Sequence, residues 1–515
     1  MRAIVDPTGG TMTDAASSIL IRGGRVYDHD GDTDRPPVAD VLIRGDRIAG
    51  VGGDLGPGDK TIDAAGKLVM PGFVNAHYHS HDVLLKGCFE TLPLELWLMH
   101  ALPPAYPRRS AGEVRARTLL GAAECLRSGM TTVQDMLTLF PFDPEHLETV
   151  VCAYEEIGIR CTFSLQVGDI PGIERVPFWK EVVPGEYRRH LGASVEPGGF
   201  DPLEHVREHY LAWRDASPRF RWALGPTSPE FCTPRLLEGL AALSAEHGLP
   251  VITHIYESRS MAVAGRLFMP EHDGSQVGYL RSVGLLGPNV GLAHSVWMRP
   301  DEIEILAATG TNVILNPVGN LKTRSGVPPI RGYLDSGVAT AIGCDNCSCG
   351  DSQNMFHAMK AFAGLAAVTN PEPGPPSAAD TIACATLGGA RALGLAGEVG
   401  AIRPGMKADI SLIDLSTPQY VPLNSAARQT VFAESGESVD TVIVDGRVAM
   451  ENRRLAFIDE DALRSEVEAA MPALRADIEA VAARNATLRP YLLEAWRRSW
   501  REDVGINRFV DDGGR

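Results

Sequence analysis

Two histidines, His77 and His79, lie two residues apart at the end of an apolar run, 68–74. Side chains in a β-strand alternate between its two faces, so both imidazoles would point to the same side. If that strand ends at an open pocket, the two rings can hold one metal ion. An HxH pair alone is weak evidence, and its weight depends on whether similar residues occupy similar positions elsewhere.

Three further ligand-type residues follow short apolar runs later in the chain. They are His254, His294 and Asp345, and Glu257 comes three residues after the first of them. Four such strand ends in order are difficult to attribute to chance. The pattern indicates one metal-dependent site assembled from separate parts of the chain.

The elements that would position these residues alternate between strand and helix. Short β-rich runs separated by longer helical stretches are typical of βα units around a parallel sheet. Eight repeats favour a barrel, in which active sites lie at the carboxyl ends of the strands. The predicted strands are 68–77, 131–135, 160–166, 220–225, 250–254, 290–294, 312–316 and 339–343. The predicted helices include 110–128, 234–247 and 300–309, with Ser110 and Thr233 as caps, and 167–219 is expected to be an excursion over the pocket.

The flanks of this barrel have a different pattern. Residues 19–67 and 398–458 contain short β-rich units with glycine turns, which predict one small β-sandwich built from both flanks. Residues 68–397 are expected to form the metal-dependent catalytic barrel. The predicted fold class is therefore α/β, a (β/α)8 TIM barrel with a small β-sandwich.

The two ends of the chain lie outside these domains. Residues 1–18 form an N-terminal extension, in which Met12 is an alternative start to Met1. The C-terminal tail, 459–515, has helical apolar spacing, and Pro472 is expected to kink or restart its helix. We expect this tail to serve in packing or subunit contact rather than in chemistry.

Composition limits the function classes. The chain has 515 residues and a net charge of −17, which disfavours nucleic acid or an anionic membrane as a partner. No apolar run approaches the roughly 20 residues that span a bilayer. Nine scattered cysteines do not resemble a disulfide framework, which favours a cytoplasmic location. The local cluster of Cys344, Cys347 and Cys349 could bind metal or simply pack, and we do not count it among the ligands.

Several motifs together resemble the amidohydrolase superfamily, over about residues 19–455. The branch with the greatest similarity is cytosine deaminase-like and chlorohydrolase-like, and it includes guanine, triazine and thiomethyladenosine deaminases. The resemblance implies a (β/α)8 barrel with a sandwich from both flanks. It also implies one divalent metal, zinc or iron, held by His77, His79, His254 and Asp345. The motifs are PGFVNAHYHS, HIYE, LAHSVW, NPVGNLKTRSGVPPI, GCDN and ATLGGARALGLAGEVGAIRPGMKADISLID.

The chemistry of this residue set agrees with the resemblance. A metal held by three imidazoles and one carboxylate lowers the pKa of a bound water from about 16 towards 7, and the hydroxide attacks an electrophilic carbon. Asp345 can take the proton of the water, and His294 can polarise or hydrogen-bond the attacking group. In the deaminase branch the glutamate that matches Glu257 moves a proton onto the ring nitrogen, so that the amine can leave.

Other candidates have both functional and structural interpretations. Glu90 and Trp97 could hydrogen-bond and stack on a heteroaromatic ring, although Trp97 could equally be core. Asn320 matches a family position near the pocket. A second class of amidohydrolase has a bridging lysine after the fourth strand, and none is present here, which favours one metal unless Glu230 bridges.

The sequence therefore predicts a metal-dependent aminohydrolase that deaminates a purine, pyrimidine or triazine. The alternatives are displacement of chloride, alkylamine or thiolate from a similar ring, hydrolysis of a cyclic amide, or a non-catalytic binding barrel. The expected partner is a small heterocyclic substrate, and the resemblance implies a homodimer or homotetramer.

Overall fold

The computed structural model describes residues 18–191 and 200–509. Most of the predicted extension, 1–17, and the end of the tail, 510–515, lie outside the described residues. The strands are β1 Ser18–Val26, β2 Val38–Arg44, β3 Arg47–Gly52, β4 Lys60–Asp63, β5 Lys67–Pro71, β6 Phe73–His79, β7 Met130–Leu137, β8 Arg160–Val167, β9 Phe220–Trp222, β10 Gly225–Pro226, β11 Val251–Ile255, β12 Val290–His294, β13 Asn312–Leu315, β14 Thr340–Ile342, β15 Asp345–Asn346, β16 Ile410–Asp414, β17 Val439–Val444, β18 Arg447–Glu451 and β19 Arg454–Leu455.

The α-helices follow the strands of the central region and form the tail. Ser110 and Thr233 cap two of them as predicted, since each side chain accepts a backbone N–H of the first turn. The α-helices are α1 Leu94–Ala101, α2 Ala111–Arg127, α3 Pro144–Ile157, α4 Trp179–Val182, α5 Gly185–Leu191, α6 Pro202–Trp213, α7 Pro234–His247, α8 Arg259–Phe268, α9 Gln276–Ser282, α10 Pro300–Thr309, α11 Pro317–Lys322, α12 Ile330–Asp335, α13 Cys347–Gly350, α14 Met355–Thr369, α15 Ala378–Ala383, α16 Gly389–Ala392, α17 Ala426–Phe432, α18 Glu460–Ala486 and α19 Arg489–Ser499.

The central strands follow one another around a ring of eight positions. One parallel sheet has the order β10-β8-β7-β6-β15, with β9 beside β8, and the other has the order β11-β12-β13-β14. A parallel bridge between Leu224 and Val251 joins the two sheets on one side. On the other side β14 continues into β15, which pairs with β6. The predicted (β/α)8 barrel is confirmed, with two of its eight strands interrupted.

The flank strands form one sheet that draws on both ends of the chain. Its order is β19-β18-β17-β16-β5-β1-β2-β3, with β4 beside β1. Apolar side chains from both halves pack together, among them Ile19, Val41, Val69, Ile410 and Ile443. The segments 19–67 and 398–458, predicted to share one sandwich, thus share one continuous sheet around a common core.

The predicted strand 68–77 is in fact two strands, which is a correction to the sequence analysis. Lys67–Pro71 pairs with Ile410–Asp414 in the flank sheet, and Phe73–His79 begins the barrel. Gly72 lies between them, where an added side chain would collide with Thr131. The barrel strand therefore starts five residues later than the predicted boundary at 68.

The tail helix does not restart at Pro472, one of the two outcomes predicted there. The helix Glu460–Ala486 runs through this residue without restarting. Pro472 is exposed, so water can satisfy the carbonyl that its ring leaves unpaired. On the opposite side, Leu463, Leu474 and Val481 are buried and hold the helix against the barrel. Among the described residues, no helix has the length and apolar character to cross a membrane.

Candidate metal centre

Two of the candidate ligands are oriented by backbone carbonyls. His79 Nδ1–H donates to the Met136 carbonyl at 2.5 Å, and His254 Nδ1–H donates to the Thr227 carbonyl at 2.5 Å. A carbonyl oxygen can only accept, so the proton of each neutral ring lies on Nδ1. The Nε2 lone pair of each ring is therefore left available to a cation.

The third imidazole is oriented by a buried glutamine. His77 Nδ1 lies 3.3 Å from Gln134 Oε1, and Gln134 Nε2 donates to Ser164 Oγ at 3.0 Å. The second bond fixes the amide so that its oxygen faces the imidazole. His77 is thus held in the same tautomer as the other two histidines.

The three Nε2 atoms converge on one point. His79 Nε2 lies 3.2 Å from His77 Nε2 and 3.3 Å from His254 Nε2. Asp345 Oδ1 lies 3.7 Å from the Nε2 atoms of both His77 and His79. Two nitrogens bound to zinc at 2.0–2.1 Å in a tetrahedral arrangement are about 3.3 Å apart. The three Nε2 lone pairs face one another with no proton between them, and this arrangement suits the binding of a divalent cation.

Burial keeps these imidazoles neutral. Desolvation lowers the pKa of His77 and His79 well below the usual value, and the neighbouring histidines lower both further. The same causes lower the pKa of His254 to about 4. Burial raises the pKa of Asp345 to about 6. The clustered rings are therefore ready ligands at neutral pH, because only the neutral imidazole binds a metal.

The backbone is strained where the site residues leave the barrel. Tyr256, His294 and Asp345 have φ angles of 49°, 71° and 65°, values that non-glycine residues rarely adopt. Gly343 permits the close approach of the last barrel strand to the first, since a side chain there would collide with His77. These turns direct the side chains at the strand ends towards one another.

A candidate acid–base pair lies beside the three imidazoles. His294 Nδ1 contacts Asn320 Oδ1 at 2.8 Å, and its Nε2 lies 3.4 Å from Glu257 Oε2. Burial and the neighbouring Asp345 raise the pKa of Glu257 well above its usual value. Burial lowers the pKa of His294 to about 4. The surroundings thus favour the protonated form of Glu257 and the neutral form of His294, which face each other beside the candidate metal centre.

The tentative substrate contacts are placed differently from one another. Asn320 is buried against His294, as just described. Trp97 is also buried, donates from Nε1 to Ser348 Oγ at 3.0 Å and packs among apolar side chains, which fits the core interpretation. Glu90 is exposed, and no contact of the described residues joins it to the site histidines.

Glu95 was missed by the sequence analysis. It accepts from Ser258 Oγ at 2.6 Å, and its Oε2 is buried without a partner among the described residues. Its charge contributes to the raised pKa of Glu257. The only sequence signal is an acidic residue inside the apolar stretch Leu94–Ala101, and such residues are usually solvated.

The geometry supports neither Glu230 nor the cysteine cluster as a metal ligand. Glu230 is buried, with its pKa raised by burial to about 7, and it shares a hydrogen bond with Ser228. Within the described residues, the groups positioned to hold a metal comprise His77, His79, His254, His294 and Asp345, without Glu230 or a cysteine.

Residues at the end of the tail contact the segments that follow β11 and β12, close in sequence to Glu257 and His294. The Arg259 guanidinium lies between the rings of Trp297 and Trp500, 5.1 Å and 5.0 Å from their centroids. Arg508 Nε donates to the Val296 carbonyl at 3.0 Å. The tail therefore braces these segments from outside, although it adds no ligand-type residue to the site.

Deletion of residues 500–515 is expected to lower turnover about tenfold while metal content is retained. The braced segments would lose their outer contacts, and a misplacement of about 1 Å can cost up to 10²-fold. Arg508→Ala tests the same bracing with one side chain, and Arg501→Ala is the matched control because that side chain is 67% exposed. Metal analysis and ammonia release are the measurements, and full turnover of the deletion protein would contradict the bracing role.

Comparisons with known proteins agree with this geometry. The amidohydrolase family model matches residues 68–449. A 5′-deoxyadenosine deaminase of Methanothermobacter thermautotrophicus is 35% identical over 456 residues, covering 88% of this chain and 98% of that protein. A 5-methylthioadenosine/S-adenosylhomocysteine deaminase of Thermococcus onnurineus is 34% identical over 397 residues, covering 77% and 86%. A solved adenosine deaminase of Xanthomonas campestris with bound zinc has a TM-score of 0.77 at 25% identity, covering 89% and 98%.

Proposed function

The chain belongs to the amidohydrolase family, and from that premise we propose that it deaminates the adenine ring of a 5′-modified adenosine. The predicted family, and the prediction of a hydrolase that acts on C–N bonds other than peptide bonds, are confirmed. The prediction of a deaminase of a nitrogen heterocycle is confirmed at that level as well. The choice of ring and of its 5′ substituent is our proposal.

A divalent metal belongs to this chemistry, and its number and identity are part of the proposal. We assign one ion per chain, held by His77, His79, His254 and Asp345. Zinc is our choice because tetrahedral sites of histidine and carboxylate suit it and because the adenosine deaminase of Xanthomonas campestris holds zinc. When bound, such an ion activates a water molecule at neutral pH.

The residues of the chain then supply the proton transfers. Asp345 can accept the proton of the attacking water, because its carboxylate faces the ligand histidines. His294 can hydrogen-bond the attacking oxygen through Nε2, which has no hydrogen-bond partner among the described residues. Glu257 can donate a proton to the ring nitrogen next to the amino-bearing carbon, which makes that carbon electrophilic. Glu257, reprotonated by the proton that Asp345 took from the water, then protonates the amino group, the C–N bond breaks and ammonia leaves. The oxygen that becomes the carbonyl returns its remaining proton to Glu257.

The observation that carries this proposal is the buried Glu257 opposite His294. Displacement of chloride or thiolate needs no proton on the leaving group, whereas ammonia is expelled only after protonation. Burial raises the pKa of the Glu257 carboxyl, which favours its protonated form, and that form can supply the proton. Adenosine derivatives are proposed as substrates because the two similar curated deaminases are named for them.

A substrate panel tests the proposal directly. Purified protein with its metal is given 5′-deoxyadenosine, 5′-methylthioadenosine, adenosine, guanine, cytosine and an aminotriazine, and ammonia release is followed. We expect the 5′-modified adenosines to give a kcat/KM at least about tenfold above the others, which corresponds to about 1.4 kcal/mol in transition-state binding. Faster turnover of guanine, cytosine or the triazine would contradict the proposed substrate class.

A homo-oligomer and a cytoplasmic location remain part of this proposal. The nine cysteines are free, which suits a reducing compartment. Light scattering on the intact chain should give a closed dimer or tetramer. The tail helix Glu460–Ala486 buries its apolar side against its own barrel, so we expect other surfaces to supply the main contact. A monodisperse monomer at working concentration would refute the oligomer.

A further inference from the structure

A cavity beside the candidate metal centre is lined by residues that the proposed reaction does not use. His81 lines it, and the ring centroid of His81 lies 5.2 Å from that of the ligand His79. Further walls come from the loop after β7 and from the helices α2, α3 and α18. They include Arg109, Glu113, Arg117, Thr138, His146 and Leu474.

Arg117 is the unusual residue of this cavity. It is 6% exposed, and its buried Nε has no hydrogen-bond partner within the described chain. The surrounding acids, Glu113, Asp135 and Asp82, act on the guanidinium through space rather than through a hydrogen bond. A buried charge is costly unless a partner of opposite charge compensates it directly. The guanidinium is thus available to a ligand.

Two other residues of the cavity wall, His146 and Arg109, show how Arg117 differs from an arginine in a structural ion pair. His146 is 4% exposed, and its Nε2 is also buried without a partner among the described residues. Arg109, in contrast, is paired with both Glu113 and Asp477. The cavity therefore combines one directly unpaired cation with one free imidazole nitrogen, beside an arginine that is already neutralised.

We propose that this cavity binds a small anionic group, a carboxylate or phosphate, through the Arg117 guanidinium, with His146 as a second contact. A guanidinium presents parallel N–H donors that match the two oxygens of either group. The anion can be a free metabolite or the acid end of a substrate substituent, since the cavity adjoins the metal centre through His81. An anion from either source would accept the same hydrogen bonds from the guanidinium.

The first experiment measures binding of a free anion without turnover. The melting temperature of the metal-loaded protein is followed as acetate or phosphate replaces chloride at constant ionic strength. We expect a saturable rise of about 1–4 °C. Arg117→Met should weaken the apparent affinity at least about tenfold, because a charge-assisted hydrogen bond is lost. Arg115→Met on the same helix is the matched control, since Arg115 pairs with Glu156 and Glu466 instead.

Stability without added anion separates a ligand site from a structural ion. Arg117→Met should then melt within about 2 °C of the unmodified protein, because no direct hydrogen bond or ion pair of the guanidinium is lost. A large fall in its melting temperature would make Arg117 a structural cation and overturn the proposal. Calorimetric titration of the unmodified protein provides a test independent of the variant. Absence of saturable heat with both anions up to millimolar concentration, with no effect of a charged substrate substituent, would overturn it as well.

The second experiment identifies the source of the anion, and only this arm rests on the proposed function. The kcat/KM values of two 5′-modified adenosines are compared, one with a carboxylate in the substituent and one with a neutral analogue. If the substrate supplies the anion, Arg117→Met lowers the ratio at least about tenfold. An unchanged ratio together with the anion-dependent melting shift assigns the site to a free anion. Failure of both substrates to react refutes the proposed function and leaves the melting result valid.

Discussion

His79→Ala is expected to leave the purified protein without its divalent metal and to lower turnover by at least about 10³-fold, since several kcal/mol of activation are lost. The Nε2 atom of His79 lies within hydrogen-bonding distance of those of both His77 and His254. His79 is therefore close to both of the other nitrogen ligands of the proposed site. Elemental analysis of the metal and ammonia release from a 5′-modified adenosine are the two measurements.

His81→Gln is the matched control for this loss. The residue lies two positions beyond His79, yet its Nε2 contacts Asn346 at 3.2 Å rather than the converging nitrogens. We expect this variant to retain about one metal per chain. Two tightly bound metals in the unmodified protein, or full activity of His79→Ala, would contradict a mononuclear centre.

The candidate site was predictable from sequence because its residues follow strand ends. The carboxyl ends of the strands in a parallel barrel meet on one face, so residues distant in sequence come together. The alternation of side chains along a strand placed His77 and His79 on the same side. His254 and Asp345 likewise lie at the ends of strands that were predicted later in the barrel. The structure brings these four together, which is the arrangement that the resemblance implied.

The partners of the imidazoles were not predictable in the same way. His79 and His254 are oriented by backbone carbonyls of Met136 and Thr227, and every residue has a carbonyl. Their choice depends on the register of neighbouring strands, which a single sequence does not reveal. Glu95 was missed for a related reason, since its burial results from packing of a helix over the barrel.

The boundary between the barrel and the flank sheet was also hidden. Residues 68–74 are one apolar run that crosses the break, and two consecutive buried strands have the same appearance as one long strand. The break at Gly72 depends on close packing against Thr131, a contact between residues far apart in the chain. Pro472 shows the opposite case, in which tertiary packing of one helix face overrides a local signal for a restart of the helix.

Glu257→Gln is expected to retain the metal while deamination falls by about 10²-fold or more, the usual contribution of a general acid. The amide keeps the shape of the carboxyl but cannot transfer a proton to the ring nitrogen or to the leaving amino group. A 6-chloropurine nucleoside should lose much less activity, because chloride leaves without protonation. The measurements are metal content and the release of ammonia and of chloride from two substrates that differ in one substituent.

Glu230→Gln is the matched control, because it removes another buried carboxyl near the site that is hydrogen-bonded to Ser228. Its effect on either substrate should stay below about tenfold, since it has no proton to transfer in the proposed reaction. Equal losses of deamination and dechlorination in Glu257→Gln would mean that the carboxyl does not protonate the leaving amine. The carboxyl would then act only in the attack on the ring, which both substrates share, and Asp345, which takes the proton of the attacking water, would be the remaining proton donor to the amine.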